Sequence, residues 1–231
     1  MALVDGIRAE LAKRIDPEYR EGCRNFFKEE VDPWGVRSAD LKAVEAMAYK
    51  QIRPLPRSER YKLFDELWRS GKLEEGAMVC HIGRRFKREF AKAEFSLFER
   101  WIDDYVRNWS HCDGVSSWLL SGCIENHPAL RDKLIPWTRS KNRWKRRASA
   151  VSFLQDAKHG RSFDFICDVC KRLEKDADVM VQKGVGWLLK ETYPKRPEEL
   201  LEFVRLRSFP RLVVRYAAEK MSRPDRAELG L

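Results

Sequence analysis

Apolar residues return every three or four positions through nearly the whole chain, as in YKLFDELWRSG, FSLFERWIDDYV and PEELLEFVRL, and no stretch alternates strictly between apolar and polar. A recurrence near 3.6 residues predicts amphipathic helices, and the missing two-residue period leaves no candidate strand. The pattern breaks at DPWGVRSAD, RPLPRSE, ENHPAL, DAKHGRS and YPKRPEE. Proline at early helical positions and Ser or Asp just before them make these breaks helix boundaries. The reading is an all-α chain of about a dozen helices joined by short loops, forming one domain over residues 1–231.

The helices also repeat. RRASAVSFL from Arg146, QKGVGWLLK from Gln182 and VRYAAEKM from Val214 each set a basic residue before small residues and an apolar helix. The aligned positions Arg147, Lys183 and Arg215 lie 36 and 32 residues apart, and Asp113 precedes Arg147 by 34. A period of that length is one helix pair of an α-α superhelix, in which equivalent positions fall on the same side of successive inner helices. Asp113, Arg147, Lys183 and Arg215 should therefore line one concave surface, joined by Trp187 one turn after Lys183. Trp109 lies one turn before Asp113 and shares its face. The other tryptophans, among them Trp68, Trp101, Trp118 and Trp137, are expected in the core.

Composition narrows the class. The 231 residues are 43% hydrophobic, enough for a substantial core, and 35% charged. With a mean hydropathy of -0.58, no run approaches the length of a membrane span. The start, MALVDGIRAELAKRI, reads as a first helix and not as a secretory signal, so the expected location is cytoplasmic. Six scattered cysteines read as reduced thiols. Cys167 and Cys170 have the spacing of half a zinc site, but no second ligand pair accompanies them, and they read as helix-buried. The net charge is +10, and Arg131 to Arg161 holds ten basic residues against two acidic ones. So one-signed a run points to a polyanion, most simply nucleic acid.

Three segments, NWSHCDGVSS with Trp109 and Asp113, NRWKRRASAVSF with Arg147, and VMVQKGVGWLLKE with Trp187, together resemble the AlkD-like DNA alkylation repair family of HEAT-like-repeat DNA glycosylases. GVRSADLKAV from Gly35 adds a fourth, and the order and spacing agree over nearly the whole chain. The resemblance implies a curved solenoid of HEAT-like repeats whose basic concave face holds duplex DNA. It also implies excision of positively charged alkylpurines, notably 3-methyladenine and 7-methylguanine, from a base left stacked in the duplex. Trp109, Asp113 and Trp187 correspond to its catalytic residues, and Arg147 to a residue gripping the backbone beside the lesion. Lys183, Arg37, Arg146 and Arg215 are expected to add DNA contacts. The residues offer no metal-ligand set, so no metal and no cofactor are expected, and the expected state is a monomer without an obligate protein partner.

The chain departs from the family pattern at Asn108, where relatives often carry a second aromatic residue. Phe26 or Phe27 falls where an aromatic hydroxyl can occur, Arg37 where a shorter amide can, and His111 and Cys112 have no role legible in the sequence. The chemistry suits the residues. An alkylated purine carries a positive charge and leaves readily, so the task is to stabilise an oxocarbenium-like sugar. A fixed carboxylate and the negative faces of two indoles do so. Two other readings share the fold: a DNA-binding relative without excision, and a protein-binding helical scaffold.

Overall fold

The computed structural model describes residues 2–231. They form α1 (Ala2–Ala12), α2 (Pro17–Phe26), α3 (Ser38–Ile52), α4 (Arg57–Arg69), α5 (Leu73–Gly83), α6 (Lys92–Asp104), α7 (Trp109–Gly114), α8 (Ser121–Asn126), α9 (Arg143–Val151), α10 (Leu154–Lys158), α11 (Phe163–Arg172), α12 (Val179–Thr192), α13 (Pro197–Arg205), α14 (Arg211–Ala217) and α15 (Arg223–Glu228). Short 3₁₀ turns fill several of the connections. The described residues contain no strand, only two isolated bridges, Ile15 with Val36 and Asp32 with Lys72. None of the helices is long and apolar enough to cross a membrane.

The fold is an all-helical solenoid. One row of helices packs in succession, α3 on α5, α5 on α7, α7 on α9, α9 on α12 and α12 on α14, while α4, α6, α11 and α13 back it from the other side. The buried apolar residues run from Val4 to Met221 and include Phe64, Phe95, Phe98 and Trp101. Trp68, Trp101 and Trp137 lie in this core as expected, and so does Trp144. Trp118 does not: it is half-buried, with Arg84 lying over its ring.

Helix starts set the register of the inner row. α7, α9 and α12 begin at Asn108, Asn142 and Asp178, whose side-chain oxygens accept from the backbone N–H of His111, of Trp144, and of Met180 and Val181. Such caps satisfy amide donors that the first turn leaves unpaired. Asp113, Arg147 and Lys183 each stand five residues after their cap, so three equivalent starts aim three equivalent positions the same way. Between α7 and α8 the helix continues through a π-helical stretch, Val115–Leu120. There the Ser116 and Ser117 hydroxyls donate to the carbonyls of Cys112 and Asp113 at 2.6 and 2.7 Å. Back-bonding of this kind loosens the regular ladder, and π turns recur at functional sites.

Candidate active site

Trp109, Asp113, Arg147, Met180, Lys183, Trp187, Lys190 and Tyr216 line one cleft of about 330 Å³. The residues come from α7, α9, α12 and α14, so the cleft crosses four successive inner helices. Both indoles, the carboxylate and Lys183 meet there as the repeat spacing predicts.

At its centre is an ion pair. Arg147 Nε and Nη2 donate to Asp113 Oδ1 and Oδ2, both at 2.8 Å, and Arg147 Nη1 donates to the Met180 carbonyl. The Arg147 side chain is only 6% exposed and that of Asp113 15%. A fork-to-fork pair fixes the plane of the carboxylate as well as its position. Burial pushes the Asp113 carboxyl above its ordinary range, and the guanidinium opposes that push. Close approach of α12 is what allows the pair to form: a Cβ on Gly184 would sit 3.2 Å from Arg147 Cγ and 3.4 Å from Nη1.

This geometry adds to the part expected of Arg147. Three of its donors meet Asp113 and a main-chain carbonyl, so the guanidinium holds the carboxylate while it lines the cleft. Two other expected DNA contacts are also engaged within the protein. Arg146 pairs with Asp176 at 2.6 Å and donates to the Ser140 carbonyl, and Arg37 pairs with Asp16 at 2.7 Å and lies over the Tyr19 ring. Neither lines the cleft. Arg215 is exposed and also lies outside it; Tyr216 takes the fourth place instead. The cause is a second close approach. A Cβ on Gly186 would fall 2.5 Å from Tyr216 Cβ, so α14 meets α12 through residue 216, and the preceding side chain turns away. Lys183 takes part in no ion pair among the described residues and lines the cleft, while Lys190 pairs with Glu219 at 2.7 Å.

Trp109 is braced from the N-terminal side. Phe27 stacks on it with ring centroids 5.2 Å apart and planes 19° apart, and Phe26 meets it edge-on at 6.0 Å. Phe26 is 70% exposed, beside the indole. The segment after α2 is tied across the molecule by Glu29, which accepts from Arg143 Nη2 at 2.8 Å.

His111 and Cys112 also find their places. His111, 4% exposed, donates from Nε2 to the Leu73 carbonyl at 2.8 Å, and Nδ1 accepts from the Asn108 amide at 3.2 Å. The ring stands edge-on against Trp68. Burial lowers its pKa to about 4, so it is neutral and joins α7 to α5. Asn108, which departs from the family pattern, caps α7 and orients that imidazole. Cys112 is a buried thiol pushed up to about 12, its sulfur 3.4 Å from the Trp144 carbonyl. Cys167 and Cys170 are free thiols, the first half-buried and the second buried.

Comparison with known proteins bears on the family and the fold. No curated protein matches the chain. Among solved structures it is similar to one described as a predicted DNA alkylation repair enzyme from Enterococcus faecalis, with a TM-score of 0.81 and 14% sequence identity over 91% of this chain and 98% of that one. At that identity the likeness is one of fold. The family model described as DNA alkylation repair enzyme matches residues 7–221, nearly the full length. The chain belongs to the DNA alkylation repair enzyme family.

Proposed function

We propose that the protein is a DNA glycosylase that hydrolyses the N-glycosidic bond of positively charged alkylpurines, 3-methyladenine and 7-methylguanine, in duplex DNA. One observation carries the reading: a largely buried, guanidinium-locked carboxylate opens into a cleft shared with two indoles. As the glycosidic bond breaks, positive charge moves from the departing base onto the deoxyribose. Asp113 provides a fixed negative charge toward it, already oriented by Arg147, so little reorganisation accompanies the reaction. Trp109 and Trp187 add their negative ring faces. Because both Asp113 oxygens already accept from Arg147, the carboxylate acts chiefly as an electrostatic stabiliser and as an acceptor that orients the attacking water. Lys183 is the cation available to a phosphate beside the reacting nucleotide.

A cleft lined by two indoles, a carboxylate and cations suits stabilisation of the sugar and backbone, which favours attack on the sugar with the base still stacked over the pocket-based alternative. In this reading the protein works as a cytoplasmic monomer on alkylated duplex, as a single domain. The test is direct. Duplex DNA carrying one 7-methylguanine is incubated with the protein and free base is measured; release is expected, and its absence where a control glycosylase works would leave a DNA binder without excision.

A further inference from the structure

Much of the strongly basic stretch of the sequence is compensated within the molecule. Within Arg131–Arg161, six of the ten cations pair with carboxylates: Arg131 and Arg161 with Asp156, Arg143 with Glu29 and Asp178, Lys145 with Glu99 and Asp103, Arg146 with Asp176, and Arg147 with Asp113. An uncompensated cluster lies elsewhere, where α3 meets the end of α5. Lys42, Arg84 and Arg85 border a second cleft, of about 280 Å³; all three are exposed and take part in no ion pair among the described residues.

Two of these guanidinium groups are held in place by aromatic rings. Arg84 lies over Trp118 at 4.7 Å from the ring centroid, and Arg85 over Tyr49 at 4.1 Å. Stacking uses the flat face of a guanidinium and leaves its edge donors free, which suits an anion more than a solvated, mobile arginine does. The cleft's own carboxylate, Glu45, is turned to His81, whose Nδ1 lies 2.5 Å from Oε1. The His81 ring in turn packs on Trp118 at 5.1 Å. The cluster is linked to the reaction cleft through the helix, because Trp118 belongs to the π-helical stretch that follows Asp113. A Cβ on Gly114, the next residue after Asp113, would lie 3.7 Å from the Trp118 ring. The tryptophan that supports Arg84 thus rests on the turn that carries Asp113.

We propose that Lys42, Arg84 and Arg85 form a second phosphate-binding site, which holds the backbone of the duplex away from the lesion and fixes its register over Asp113. The inference rests on the reading of duplex DNA as the partner. Three unpaired cations bordering one cleft fit the phosphodiester oxygens of a strand.

Binding of undamaged duplex, which needs no excision, tests it. Removing one cation from a phosphate reduces the slope of log affinity against log salt by about 0.9. Arg84→Gln/Arg85→Gln should therefore lower the slope by about 1.8 and weaken binding roughly tenfold or more at 0.1 M salt, while Arg84→Lys/Arg85→Lys recovers most of the slope. Thermal unfolding of each variant confirms that the fold is kept. A wild type that binds duplex together with a glutamine variant of equal slope and affinity overturns this site alone. A wild type that binds no duplex overturns the partner, and the site with it.

Discussion

The side chains of Asp113 and Arg147 depend on one another, and this decides what their substitution does. Asn at 113 keeps the shape of Asp but removes the charge, so excision of 7-methylguanine should fall on the order of 10²-fold or more. Duplex affinity should change little. The same substitution leaves the buried Arg147 charge without its counterion, so it should also cost about 3 kcal/mol of stability, read by denaturant unfolding. A mutant excising at the wild-type rate would remove the carboxylate from the mechanism. The pH profile probes the pair from the other side. Asp113 must be ionised to act and its pKa is raised by burial, so excision should fall on acidification at a pH above that of an ordinary aspartate. Arg147→Gln removes the cation that opposes the rise, and the acidic limb should move higher still. A limb that stays in place would mean that another group titrates.

Around the pair, whole elements set the geometry. The end of α2 supplies Phe27, whose stacking holds the plane of Trp109. An aromatic pair of this kind is worth roughly 0.5–1.5 kcal/mol beyond burial, so Phe27→Leu should slow single-turnover excision by about two- to tenfold if the orientation of the indole matters. An unchanged rate would reduce Phe27 to packing. The α7–α5 junction carries a different liability. His111 titrates near 6.5 when unfolded and at about 4 when folded. The unfolded chain therefore binds the proton first, and stability is lost as pH falls from 6.5 toward 4, by about 3 kcal/mol in all. Unfolding titrations across that range should show the loss, and His111→Gln should flatten it. Equal slopes for the two proteins would place the acid sensitivity elsewhere.

At the scale of the whole molecule, opposite charges brought together by folding redistribute the +10 excess. A basic residue that folding leaves unpaired is the one most directly available to a phosphate, so Lys183→Ala should weaken affinity and reduce the salt slope by about 0.9. Arg146→Ala should leave binding nearly unchanged and instead lower stability, because Arg146 bonds Asp176 and the Ser140 carbonyl. Equal reductions of affinity in both variants would show that net charge counts and local pairing does not.

The helical class, the helix-pair repeat and the meeting of Trp109, Asp113, Lys183 and Trp187 were legible in the sequence alone, because apolar periodicity and repeat spacing survive in one dimension. The sequence also carried the family resemblance, since the motifs are contiguous. The partner of each charge was decided only in the tertiary structure. Asp113 and Arg147 are 34 residues apart, Arg143 and Glu29 are 114 apart, and no local rule foretells which cation meets which carboxylate. For the same reason Arg147 was legible as basic but not as a clamp on Asp113. The fourth repeat slips from Arg215 to Tyr216 because Gly186 lets α14 approach at that side chain, a contact between two helices. Arg84 and Arg85, unremarkable in the sequence, became a candidate site once Trp118 and Tyr49 were brought beneath them.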